Sequence, residues 1–302
     1  MVDISLISIV LPTYNGERYL DESIQSVIDQ TYTHWELIIV DDHSTDNTAQ
    51  VIAKWVKRDN RIRSIRHVQN KKLPAALNTG FRAAKGDFFS WTSDDNLYRS
   101  HALETMLHHL QSHPEVDLIY SDYTLIDDNG HMLREVRVAP PTMLVTKATV
   151  DACFLYRRIV HEQLQGYDEN AFLLEDYDFW MRASMHFHLQ PLHQDLYLYR
   201  HHEASLTTLK RRQVMERREA MLIQHLPHLH WATHVHLARG YLHVSELARE
   251  NGAKRKAIRY VWKSLQYAPF VVVRHYAKAL MPKFLLKYAI QFYQQIRRRH
   301  SS

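Results

Sequence analysis

Carboxylates gather at three places in this chain: Val40-Asp41-Asp42-His43-Ser44, Thr92-Ser93-Asp94-Asp95-Asn96 and Leu174-Glu175-Asp176-Tyr177-Asp178. Like charges held close repel, and each costs free energy to take out of water. A compact site holding several therefore takes up a cation or uses them in catalysis. The first two stretches follow short apolar runs of β type, Leu37 to Val40 and Phe88 to Trp91. A carboxylate so placed emerges at the carboxyl end of a strand, the edge at which open α/β sheets bind ligands. The third stretch opens a helical pattern. This distribution predicts chemistry on a charged substrate.

The elements that must position these groups alternate up to about residue 130. Strands are expected at 7–11, 37–40, 62–68, 88–91 and 118–126, and helices at 17–30, after an N-cap at Ser44 or Thr45, at 75–84 and at 101–112. Such alternation predicts a mostly parallel, Rossmann-like sheet covered by helices on both faces. Asp127-Asp128-Asn129-Gly130 reads as a turn. A mixed region follows, with strands near 153–156 and 192–199 and helices near 158–164 and 178–186, which would line one side of a cleft. From about Gln213 every pattern is helical, so the expected division is a catalytic α/β domain over 1–210 and an all-α region over 211–302.

At 302 residues, 45% hydrophobic and 24% charged, the chain is long enough for one large core or one core with a satellite. The single cysteine, Cys153, excludes a disulfide framework and a cysteine-based zinc site and fits a reducing cytoplasm. No basic-then-apolar leader and no apolar run near ~20 residues is present, so neither a signal peptide nor a membrane span is expected. The net charge of +5 is uneven. No Asp or Glu follows Glu250, whereas twelve Lys and Arg do, so the charge divides into −7 before that point and +12 after it.

The segments Ile9-Val10-Leu11-Pro12-Thr13-Tyr14-Asn15, Ser26-Val27-Ile28-Asp29-Gln30-Thr31 and Glu36-Leu37-Ile38-Ile39-Val40-Asp41-Asp42 form an ordered set. It continues with Ala84-Lys85-Gly86-Asp87, Ser93-Asp94-Asp95-Asn96, Glu175-Asp176-Tyr177-Asp178-Phe179-Trp180-Met181-Arg182 and Tyr199-Arg200-His201-His202. In this order the set resembles family 2 glycosyltransferases over roughly two-thirds of the chain. The Thr-x-Asp-Asp-Asn form is similar to that of the spore-coat polysaccharide glycosyltransferase that typifies the family. The resemblance implies a GT-A fold, a nucleotide-sugar donor, a divalent metal and inverting transfer.

Residue by residue, the resemblance implies that Pro12, Thr13, Tyr14 and Asn15 pass the base and ribose. A carboxylate of Asp41 or Asp42 would accept the uracil ring N–H, which favours UDP or dTDP because a base lacking that donor leaves the acceptor unpaired. Lys72 is a candidate at the diphosphate, with Lys71 as the alternative. The usual Asp-x-Asp triplet is shifted here, with Thr92 in its first position. Asp95 is then expected at the metal and Asp94 at the ribose, or the reverse, with His202 approaching the metal or phosphate. Mn²⁺ or Mg²⁺ suits such a set, because hard cations take oxygen ligands and Mg²⁺ often binds through one or two carboxylates plus phosphates. The family assigns the base that receives the acceptor's proton to the position of Asp176.

Other classes lose support. There is no Gly-x-x-x-x-Gly-Lys loop and no Gly-x-Gly-x-x-Gly. The Gln-x-x-Arg-Trp motif of processive synthases is absent, which leaves addition of single sugars to a hydroxyl acceptor on a glycan or lipid-linked glycan. His230 and His234 have helical spacing but lack the glutamate of a zinc-protease motif, so they read as ordinary helix residues. A nucleic-acid binder using the +12 tail would need its acidic first part to tolerate a phosphate backbone; no nucleic acid is expected. An inactive glycosyltransferase-like scaffold acting through the helical tail is the alternative reading. Residues 232–269 resemble one tetratricopeptide-like hairpin, and 283–298 read as a basic amphipathic helix suited either to an anionic membrane surface or to packing on the catalytic domain. The expected location is the cytoplasm, with peripheral attachment to the inner face of the membrane as the membrane reading of that helix.

Overall fold

The computed structural model describes residues 5–150, 152–202 and 210–280. The chain divides into two compact units, 1–217 and 218–302. The stretch 283–298, read from the sequence as a basic amphipathic helix, lies outside the described residues.

The first unit is built on one nine-stranded sheet. Its parallel part has the order β3-β2-β1-β4, from β1 (Ile7–Thr13), β2 (Trp35–Asp41), β3 (Ile62–Arg66) and β4 (Phe88–Trp91). Helices α1 (Leu20–Ile28), α2 (Thr48–Arg58), α3 (Leu73–Ala83) and α4 (Ala102–Ser112) fill the connections. Alternate residues of the central strands face opposite layers. Ile7, Ile9, Leu11, Leu37 and Ile39 join Leu20, Ile24, Val27, Ile52 and Trp55 in one fully buried cluster. Val10 points to the other face, where α3 approaches so closely that a Cβ on Gly80 would lie 2.3 Å from Val10 Cγ1.

Beyond β4 the sheet becomes mixed. Strand β6 (Leu118–Ile126) is antiparallel to β8 (Phe154–Arg157) and to β7 (Met132–Val136), and parallel to β9 (Leu189–Arg200). The two-residue strand β5 (Leu97–Tyr98) returns antiparallel to β9. Neither β5 nor β7 has a sequence signal: β5 is too short for a period, and β7 is an exposed edge with no buried face to alternate. Helix α5 (Arg158–Leu164) follows β8, and α6 (Glu175–Ser184) begins three residues earlier than its apolar pattern. The expected N-cap at Ser44 or Thr45 is corrected. Asn47, not Ser44 or Thr45, precedes α2, and it makes no side-chain cap bond; Ser44 Oγ instead accepts the N–H of Asn15 at 3.0 Å.

Helix α7 (Arg211–His225) crosses the division between the units. In the second unit, α8 (His234–Glu250) opens on a capping box between Thr233 and His236. Gly252, at φ +76°, turns the chain into α9 (Lys254–Tyr267), and α10 (Pro269–Leu280) follows. Ser264 Oγ donates to the Ala238 carbonyl at 2.7 Å, and Tyr241 stacks on Tyr267 at 5.6 Å, fixing α8 against α9. His234 opens α8 and packs on Tyr267, whereas His230 lies in the turn before it, which corrects the helical i, i+4 reading of the two. Among the described residues, no helix is long and apolar enough to cross a membrane.

Candidate active site at the carboxyl edge of the sheet

Strands β1 and β2 end together, Thr13 pairing with Asp41, while β4 ends at Trp91 opposite Val10, so the loop after β4 runs on toward the same edge. Their following loops therefore converge. Thr13 Oγ1 donates a short hydrogen bond to Asp94 Oδ2. Asn15, at φ +56°, receives at its amide oxygen the N–H of Thr45 at 2.8 Å, joining the β1 and β2 loops. Gly16 follows, and a Cβ there would fall 2.2 Å from Asp94 Oδ2, so only glycine lets this backbone pass beneath the carboxylate. Tyr14 stands half exposed above it.

The two carboxylates ending β2 differ in use. Asp42 is buried and accepts the N–H groups of Lys71 and Lys72, each at 2.8 Å, while His67 Nδ1 lies 2.7 Å from its Oδ1. Three donors on one carboxylate hold the 67–72 loop and let Lys72 keep a backbone of φ +74° and ψ 165°, a region that ordinarily costs a non-glycine residue ~1–3 kcal/mol. Asp41 accepts the Ser44 N–H through Oδ1 at 2.8 Å. Its Oδ2 is buried without a hydrogen bond, and Arg66 Nε stands 3.4 Å away.

Asp94 and Asp95 follow the last residues of β4. The Asp94 carboxyl is pushed up to about 7, first by its removal from water and then by the charge of Asp95, with the Thr13 hydroxyl acting in the opposite sense. Asp95 Oδ2 lies 2.9 Å from His202 Nε2, and its Oδ1 is buried with no hydrogen-bond partner. An unpaired buried polar group costs ~1–3 kcal/mol, and a charged one more. The orphaned oxygen, the neighbouring carboxylate and the imidazole fit a hard divalent cation whose remaining ligands come from phosphate oxygens. Among the described residues, no three His, Cys, Asp or Glu side chains form a preassembled cation cage.

Arg200, at the end of β9, organises this region although the sequence reading assigned it no role. It is 2% exposed and donates to the carbonyls of Asp95, Asp127 and Asp128 and to Glu22 Oε2 at 2.7 Å. Its own N–H is received by Asn96 Oδ1 at 2.8 Å. One guanidinium thus ties the Asp95 loop to α1 and to the turn after β6. The only sequence signal was its place beside His202.

Asp176 sits in the first turn of α6 and accepts the Tyr177 N–H at 2.6 Å, in the end of the helix where negative charge is favoured. Asp178 serves α6 itself: its carboxylate pairs with Arg182 at 2.8 Å, and Arg182 also clamps the Leu164 and Gly166 carbonyls. Tyr167 links the helix to the sheet edge. Its hydroxyl receives the Trp91 indole N–H at 2.9 Å, and its own ionisation is opposed by burial and, more weakly, by the charge of Asp176. Lys72 Nζ lies 5.9 Å from the Phe172 ring, so the β2 side of the cleft reaches the segment leading into α6.

That segment is held by Glu175, which accepts the N–H of Leu173 at 2.7 Å; Leu173 has φ +80°. Burial, reinforced by Asp176, pushes the Glu175 carboxyl up to about 8. The folded protein therefore keeps a proton there that the unfolded chain releases near the ordinary glutamate value of about 4.5. The stabilisation is complete below that value and is lost as pH rises toward 8. Thermal unfolding should show this decline in the wild type and a flatter profile in Glu175→Gln. Equal slopes in the two proteins would remove Glu175 from the account.

Residues 8–165, just over half of the chain, match the family model "Glycosyl transferase family 2". An uncharacterized glycosyltransferase of Rickettsia typhi is 30% identical over 229 residues, covering 70% of this chain and 69% of that protein. Another, of Rickettsia bellii, is 33% identical over 199 residues. The chain covers only 28% to 33% of the length of the first three curated Rickettsia relatives it matches. Among solved structures, S. aureus TarS 1–349 in complex with UDP-GlcNAc superposes with a TM-score of 0.67 at 18% identity, over 88% of this chain and 82% of that one. A mannosyltransferase from Pyrobaculum calidifontis, in complex with GDP-Man and Mn²⁺, gives 0.57 at 17% identity over 95% and 84%. At these identities the likeness is one of fold, the GT-A arrangement. With the family match spanning most of the α/β unit and the acidic loops at its strand ends, this chain belongs to glycosyl transferase family 2.

Proposed function

We propose that this enzyme is an inverting, metal-dependent, non-processive transferase that moves a sugar from a UDP or dTDP donor to a hydroxyl on a glycan or lipid-linked glycan. The observation that carries the reading is the orphaned buried oxygen of Asp95 beside Asp94, at the edge where β1 and β2 also end. Pro12, Thr13, Tyr14 and Asn15 pass the nucleoside. Asp41 or Asp42 accepts the base N–H: Asp41 has the oxygen lacking a hydrogen bond, and Asp42 retains acceptor capacity on Oδ2. Asp94, Asp95 and His202 would hold Mn²⁺ or Mg²⁺, which when bound offsets the charge developing on the diphosphate leaving group. Lys72, at the β2 side of the cleft, is the cation we assign to the diphosphate.

Asp176 receives the proton of the acceptor hydroxyl. As that O–H bond breaks, the oxygen forms a bond to the anomeric carbon on the face opposite the diphosphate, whose C–O bond breaks with the electron pair leaving on phosphate. One displacement inverts the configuration. Asp176 stands in the first turn of α6, the end of the helix at which a carboxylate is favourably placed.

Calorimetric titration of UDP, dTDP and GDP in Mn²⁺ and in EDTA tests the donor reading. UDP or dTDP should bind with Mn²⁺ and weaken sharply in EDTA. A preference for GDP would overturn the base assignment, and no nucleotide binding in either condition would overturn the function.

A further inference from the structure

Five large apolar side chains on two successive helices of the second unit lie open to solvent. The most exposed of them are Ile258 (60%), Trp262 (65%) and Val273 (65%), with Tyr276 at 41%, and these four define the face. Ile258 and Trp262 are one turn apart on α9, and Val273 and Tyr276 are one turn apart on α10, so each pair shares a helix face. Ile258 and Tyr276 also line one groove of about 280 Å³ together with Lys254, Ala257, Val261, Arg249 and the pair His275–Glu246, in which the one acidic side chain of the lining is engaged at 3.1 Å. The two apolar stripes therefore run side by side.

Lys254, Arg255, Arg259 and Arg274 are exposed around them, and residues 251–280 contain seven Lys and Arg with no Asp or Glu. A partner for this face must accept an indole and aliphatic side chains while neutralising several cations. The remaining chain, 281–302, adds only Lys and Arg to the charge, and a second copy presenting the same face would oppose like with like. An anionic bilayer surface meets both needs. Its negative potential favours each nearby Lys or Arg, its headgroup boundary buries the apolar stripe, and tryptophan partitions to that depth.

We propose that the second unit docks on anionic membrane surfaces through the α9–α10 face, with Trp262 and Ile258 entering the headgroup layer and the surrounding cations meeting lipid phosphates. This requires no part of the 283–298 stretch and does not rest on the donor assignment. Docking would retain the catalytic unit at a surface that displays lipid-linked acceptors.

The test is flotation of the full-length protein with phosphatidylcholine vesicles, with and without about 30% phosphatidylglycerol. Brominated lipid reports tryptophan depth. Binding should need phosphatidylglycerol, and bromolipid should quench fluorescence in the wild type but much less in Trp262→Phe, which should still float. Ile258→Asp with Trp262→Asp should weaken vesicle binding roughly ten-fold or more, with UDP binding and thermal stability retained. Absence of phosphatidylglycerol-dependent binding would overturn the proposal. So would binding that leaves Trp262 unquenched, or binding that survives the double substitution, either of which would assign membrane contact to another segment. A self-association lost in the double variant without vesicle binding would assign the face to a second copy.

Discussion

Asp176→Asn should reduce kcat by about 10²–10⁴-fold while leaving metal-dependent UDP affinity nearly unchanged. The amide preserves the size and position of the side chain in the first turn of α6, where it faces the Tyr177 N–H, but it cannot take a proton from a hydroxyl at neutral pH. In the proposed displacement the base acts on the acceptor hydroxyl, and the donor loops after β1, β2 and β4 do not pass through it. The expected pattern is a large loss in kcat with intact donor binding. Turnover like that of the wild type would remove Asp176 from the mechanism. Loss of UDP binding together with activity would give it a structural role instead. Glu175→Gln separates these cases, because it keeps the Asp176 carboxylate while changing the neighbour that holds Leu173.

Asp95→Ala should abolish the difference between UDP binding in Mn²⁺ and in EDTA. Its Oδ1 is the buried oxygen without a partner, and its Oδ2 faces His202. Removing the carboxylate leaves Asp94 as the one acidic side chain of the pair. Loss of a supporting residue around a bound metal typically costs roughly 10–100-fold in affinity, so loss of a ligand should cost at least as much. The calorimetric readout is independent of turnover. If the variant retains wild-type UDP affinity and EDTA still weakens it, the cation is held elsewhere and Asp95 is structural. Arg200 holds the Asp95 carbonyl, and the side chain is not needed for that bond; an intact melting temperature would confirm that the loop stands.

Within the chain itself, local signals identified the strand ends. Ile9 to Pro12 and Leu37 to Val40 are continuous apolar runs because both faces of a central parallel strand are buried, and the polar residue that follows each run, Thr13 or Asp41, marks the ligand edge. The helix periods of α1, α3 and α4 were legible for the same reason, since each buries one stripe against the sheet. Short or exposed strands, β5 and β7, had no such signature. The N-cap of α2 was misread because Ser44 and Thr45 have the chemistry of a cap, and only the fold shows them committed to Asn15 across 29 and 30 residues of sequence.

The sequence by itself therefore determined the family, the layered α/β architecture of the first unit and the carboxylates available for chemistry, because these depend on residue type and on spacing along one element. Tertiary structure alone decided how those carboxylates are used. Asp42 is engaged by the 67–72 loop, Asp41 and Asp95 each keep a buried oxygen without a hydrogen bond, and Asp178 is paired within its own helix. It also gave Arg200 its place at the junction of four chain segments. Hydrogen-bond partners and desolvation are set by groups brought together from distant parts of the chain, and no local pattern encodes which acceptor is left unpaired.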